Sequence, residues 1–122
     1  MSDADLSGLR AAVAELDHVL QEADAVIRGL KLGVEAELPI GDGVLLRWGR
    51  PPGQERRVLH IYDPDSGETL QGLTGATLPQ RLAAAKSIPR LIGHMRQTRA
   101  ALTEDVSSTA RDLDHYLDTL GG

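Results

Sequence analysis

A chain of 122 residues with 41% hydrophobic content has room for one compact domain and the composition of a folded one. Nineteen leucines and 14 alanines stand beside one tryptophan, two tyrosines and no phenylalanine, which suits helices packed on helices and leaves few rings to stack on bases. The absence of cysteine excludes disulfides, zinc–thiolate and iron–sulfur centres and a thiol nucleophile, and a formal charge of −5 argues against a nucleic-acid binder. No apolar run approaches the roughly 18 residues of a membrane span, and no basic-then-apolar leader opens the chain. The expectation is a cytoplasmic protein of one domain, residues 1–122, with no membrane association.

The first element is a helix over about 3–32. Leu6, Leu9, Val13, Leu16, Leu20, Ala23, Ile27 and Leu30 follow an unbroken 3-4 spacing, which keeps one narrow apolar stripe on one face. Ser2 suits the N-cap, Asp3 and Asp5 set negative charge against the positive helix end, and Gly33 suits the C′ position. Such a helix runs roughly 40 Å at about 1.5 Å per residue. Its stripe serves either to lie along its own domain or to associate with a second chain.

Periodicity then shifts to two. Val34, Ala36, Leu38 and Ile40 alternate with Glu35, Glu37 and Pro39, predicting a strand over about 34–40 that Pro39 confines to a sheet edge. Gly41-Asp42-Gly43 reads as a tight turn into a second strand over about 43–50, which Pro51-Pro52-Gly53 closes. A third strand over about 56–62 ends at the turn Asp63-Pro64-Asp65-Ser66-Gly67, and a short fourth is expected over about 68–73. Together they make an antiparallel meander of three to four strands. Val44, Leu46 and Trp48 fall on one face of the second strand and Leu45 and Arg47 on the other; on the third, Leu59 and Ile61 oppose Val58, His60 and Tyr62.

Thr77-Leu78-Pro79-Gln80 fits a capping box with proline in the first turn, so a short helix is predicted over about 78–86. Ser87-Ile88-Pro89 repeats the signal and predicts a break or kink before a long helix over about 88–119. In that helix Ile92, Met95, Leu102, Val106, Leu113, Tyr116 and Leu120 keep the 3-4 rhythm, interrupted by Arg99 and Thr109, and Ser107-Ser108-Thr109 weakens helix propensity at its middle. Two seams of this kind predict an antiparallel helical pair within one chain, or a four-helix arrangement of two chains.

Charge is segregated. Residues 1–37 carry net −5, residues 79–100 carry five basic side chains (Arg81, Lys86, Arg90, Arg96, Arg99) and no acid, and residues 101–122 carry net −4. Eleven of the 13 basic residues are arginine, which favours forked contacts to carboxylates. The simplest expectation lays the basic segment along Glu15, Asp17, Glu22 and Asp24, within a chain or across a dimer.

The residues offer little chemistry. Asp112, His115 and Asp118 share a helix face and could approach a divalent ion, but this pattern also describes a solvated face. Asp63-Pro64-Asp65-Ser66-Gly67 lacks the remaining ligands of a calcium loop, and neither a G-x-S-x-G elbow nor a phosphate-binding loop with its lysine is present. No catalytic residue, metal ligand or cofactor is assigned, and the chain is not expected to be an enzyme. The sequence predicts an α+β protein that binds another protein without catalysis, as a small regulator, adaptor or inhibitor, and acts as a homodimer. The binding surface expected is the open sheet face with Arg47, Trp48, Arg50, Arg56, Arg57, His60 and Tyr62, since exposed aromatics beside arginines favour protein partners, or else the acidic helix faces; Trp48 is also the largest residue a core could take. Two alternatives rest on charge alone: a phage- or plasmid-encoded inhibitor that presents its acidic ends to a nucleic-acid-binding enzyme, as an anti-defence protein does, and a nucleic-acid-binding accessory protein using residues 81–99.

Overall fold

A computed structural model describes residues 3–67, 69–70, 73 and 75–121. In chain order these form α1 (Asp3–Leu30), β1 (Ala36–Gly41), β2 (Val44–Gly49), β3 (Val58–Tyr62), β4 (Thr69–Leu70) and α2 (Leu78–Gly121). The α+β arrangement is the one the sequence predicts, with long helices at both ends of an antiparallel meander in the order β1-β2-β3-β4. The fourth strand shrinks to two residues that pair with Ile61 and Tyr62.

Local chemistry explains most boundaries. Asp42 and Gly43 both take positive φ, 54° and 73°, and make the two-residue β1–β2 turn that matches the right-handed twist of the strands. After β3, the Gly67 N–H reaches the Asp63 carbonyl at 2.8 Å while Asp63 Oδ1 accepts the Asp65 N–H at 3.0 Å, closing the predicted turn with side-chain help. At the start of α2 the Gln80 side chain accepts the Thr77 N–H at 2.9 Å and Thr77 Oγ1 accepts the Gln80 N–H at 3.3 Å, a reciprocal capping box. The proposed cap Ser2 lies outside the described residues. At the other end of α1 the left-handed residue is Lys31, φ 50°, not the expected Gly33; Gly33 takes its own positive φ, 69°, two residues on.

Two further expectations are corrected. The break at Ser87-Ile88-Pro89 does not occur, because α2 is a single 44-residue helix with Pro89 inside it. Ala84 and Leu91 are buried on either side of that proline, with Ile88 partly so, while Pro89 itself faces solvent. Packing holds the helical path, and water can satisfy the carbonyl that proline leaves without its partner. The helices are also not antiparallel. Arg81, near the start of α2, pairs with Asp17 in the middle of α1, and Arg99, further along α2, donates to the Lys31 carbonyl just past the end of α1 at 3.0 Å. The two helices therefore run in the same direction. A 3-4 stripe reads alike from either end, so it carries no information about which way its neighbour runs.

The core lies between this helix pair and one sheet face. Leu46 stands opposite Ile61 and Trp48 opposite Leu59, and all four are buried with Leu20, Ile27, Ala84, Leu91 and Met95. α2 lies mainly across β1, and α1 approaches β3, where Asp24 Oδ1 accepts the Leu59 N–H at 2.9 Å. That bond covers part of the β3 edge that β4 does not reach.

Each helix uses only part of its seam in this core. In α1, Leu6 and Leu9 are exposed. In α2 no residue after Met95 is buried, and between residues 99 and 121 every one but Ser108 is exposed. Because the helices run the same way, these free ends project from opposite ends of the pair, and residues 100–121 extend about 33 Å at about 1.5 Å per residue.

Candidate interaction surfaces

The residues expected on one open face divide into three places. Trp48 belongs to the covered face at 5% exposure, with the Arg28 guanidinium 5.2 Å from its ring centroid. It is a core residue, and its assignment to an open surface is corrected. Its size decides the matter, since burying an indole withdraws more apolar area than burying any other side chain in this meander. Arg50 and Arg56 are exposed beyond β2 and before β3.

Arg47, His60 and Tyr62 do share the outer face. Arg47 lies opposite His60, and its guanidinium sits 4.7 Å from the Tyr62 ring centroid while Nε approaches Glu37 at 3.4 Å. The stack fixes Arg47 in place and keeps its charge at the surface. Leu45, opposite Tyr62, extends the patch with half-buried apolar area. Alternation places His60 outward, yet it is fully buried. Its Nδ1 donates to the Val58 carbonyl at 2.8 Å and its Nε2 has no partner. Burial holds the imidazole pKa below its ordinary 6.5 and neighbouring Arg47 pushes it the same way, against the Val58 carbonyl and Glu35. His60 is thus a neutral ring inside the patch and not a group offered to a partner.

Arg57 leaves this face to pair with Glu35 at 3.3 Å and joins Arg28, Lys31, Arg50 and Trp48 around a pocket of about 210 Å³ at the end of α1. Sequence reasoning missed Arg28 and Lys31. The signal present was the i,i+4 spacing of Asp24 and Arg28, whose side chains bond at 2.9 Å.

The basic stretch of α2 is only partly matched by α1. Arg81 Nη1 holds both Asp17 oxygens, at 2.7 and 2.8 Å, whereas Glu22 pairs with His18 and Asp24 with Arg28. Lys86, Arg90 and Arg96 are exposed and make no ion pair among the described residues. Asp112, His115 and Asp118 all lie on the projecting part of α2 and face solvent.

That projecting part carries six of the eleven exposed large hydrophobic side chains of the described residues. Leu102, Val106, Leu113, Tyr116, Leu117 and Leu120 are between 51% and 67% exposed. At its root a groove of about 440 Å³, chiefly apolar, is lined by Leu32, Arg96, Arg99, Ala100, Thr103 and Glu104. The stripe is legible in the sequence, but not that it stays uncovered among the described residues.

Compared with known proteins, the chain matches no family model, and neither a curated protein nor a solved structure shows significant similarity to it.

Proposed function

We propose that this protein is a non-catalytic protein-binding protein of the cytoplasm that works as a homodimer. One observation carries the reading: the last half of α2 projects from the fold with a 3-4 stripe of exposed leucine, valine and tyrosine. A helix displaying such a stripe in water gains free energy by laying it against another apolar stripe, and the heptad rhythm is the one helix partners use. The outer sheet face, with Tyr62 under Arg47 and Leu45 beside it, suits a second protein partner, because tyrosine and arginine dominate interface energetics.

The test is the solution mass by size exclusion with light scattering, on the parent chain and on a Val106→Lys, Leu113→Lys double variant. The parent is expected at about twice 13.1 kDa and the variant at the single-chain mass. Both substitutions are remote from the core, so the variant should keep the parent's cooperative melt. A monomeric parent across micromolar concentrations would overturn the proposal.

A further inference from the structure

The end of α1 gathers positive charge that is scattered along the sequence. Arg28 belongs to the last turn of α1, Lys31 follows that helix, Arg50 follows β2 and Arg57 precedes β3. All four line one pocket of about 210 Å³ together with Ile27 and Trp48. We infer that this pocket binds the dianion of a phosphate monoester.

The pocket combines an apolar wall with fixed and free cations. Ile27 and Trp48 are 2% and 5% exposed, and beside such a wall opposite charges attract more strongly than in open water. Asp24 Oδ2 holds Arg28 at 2.9 Å while Asp24 Oδ1 accepts the Leu59 N–H, and Glu35 holds Arg57 at 3.3 Å. These bonds engage Arg28 Nη2 and Arg57 Nε. A guanidinium carries five N–H groups, so both residues are positioned with donors to spare. Lys31 and Arg50 are exposed and form no ion pair among the described residues. Four cations against two carboxylates leave a surplus of two positive charges.

That surplus selects the ligand. Like charges held together repel, and an anion seated among them relieves the repulsion. A phosphate monoester carries nearly two negative charges above its second pKa of about 6, and its three acceptor oxygens suit forked guanidinium donors. A carboxylate would leave one positive charge unmatched. A helix C-terminus ordinarily repels anions, but here two of its carbonyls are engaged. The Lys31 N–H donates to the Arg28 carbonyl at 3.2 Å, and Arg99 donates to the Lys31 carbonyl at 3.0 Å. Arg99 thereby brings a fifth cation beside the same loop.

Trp48 is the single tryptophan and lines the pocket, so its fluorescence reports binding there. Inorganic phosphate is titrated into the parent chain at about pH 7.5, with ionic strength held constant by sodium chloride, and fluorescence and melting temperature are both read. A saturable fluorescence change and a rise in melting temperature are expected. Lys31→Gln and Arg50→Gln should each weaken binding about tenfold. Arg56→Gln, at an exposed arginine outside the pocket, should leave it unchanged. Glycerol phosphate and a phosphoserine peptide then distinguish a small molecule from a protein as the source of the group; tighter binding of either than of inorganic phosphate supports the site. No saturable response in either readout would overturn the inference. An equal response to acetate would reduce it to charge screening, and a loss in Arg56→Gln as large as in the pocket variants would disperse the site over the surface; both overturn it.

Discussion

The Arg81 guanidinium grips both oxygens of Asp17 from a position whose side chain is only 16% exposed, and this pair sets α2 beside the middle of α1. Its two ends are not equivalent. Arg81 Nε is already buried without a partner, so deleting the carboxylate strands an enclosed cation, whereas deleting the guanidinium frees a more exposed acid. Asp17→Ala is expected to cost about 2–3 kcal/mol and Arg81→Met about 1 kcal/mol, because methionine keeps the packing of the stem. Urea unfolding of both variants checks the order. Equal losses would mean that Arg81 recovers its hydration when Asp17 is gone.

Trp48 gives a second expectation. Its ring is buried opposite Leu59 and roofed by Arg28, so Trp48→Ala should cost about 3–5 kcal/mol and Trp48→Phe much less. As the single tryptophan it also reports on its own surroundings by fluorescence, with a red shift expected on unfolding. A truncation costing under about 1 kcal/mol would place Trp48 at the surface after all.

His60 makes stability depend on pH. In the folded chain burial depresses its pKa below 6.5, with Arg47 adding to the effect, while the unfolded imidazole titrates normally. Below about pH 6.5 the unfolded state therefore binds more protons than the folded state, and stability falls as pH falls until the folded pKa is passed. Going from about pH 7.5 to about 5.5, the melting temperature should drop further in the parent than in His60→Leu. Identical slopes would remove His60 from the balance.

Pro89 is the cleanest site for stabilisation. It interrupts the hydrogen-bond ladder of a helix whose path is already held by Ala84, Ile88 and Leu91, and its ring faces water. Pro89→Ala should restore one bond and raise stability by about 1–3 kcal/mol. A loss in denaturant unfolding would show that the local geometry at proline is needed for packing on the sheet.

The elements themselves were legible in the sequence because their signals are local. Alternation at residues 34–40, the Asp42-Gly43 turn and the Thr77/Gln80 box each act within a few residues, and the structure contains all three. The helix runs on through Pro89 because a local penalty of about 3 kcal/mol yields to the burial of side chains on both sides of it. Surface assignments fared unevenly for a related reason. Strand alternation sorts Trp48 from Arg47, but cannot say which face the helices cover or that His60, though outward, is enclosed.

By itself, then, the sequence determined the helix–meander–helix order, the two apolar stripes and the separation of charge, all of which follow from residue spacing along the chain. Only the tertiary structure decided that the helices run in the same direction, since a 3-4 stripe is the same read either way and long-range pairs such as Arg81 with Asp17 must break the tie. From that direction everything projecting follows: α1 and α2 overlap over part of their length, and the far half of α2 is left with its stripe in water.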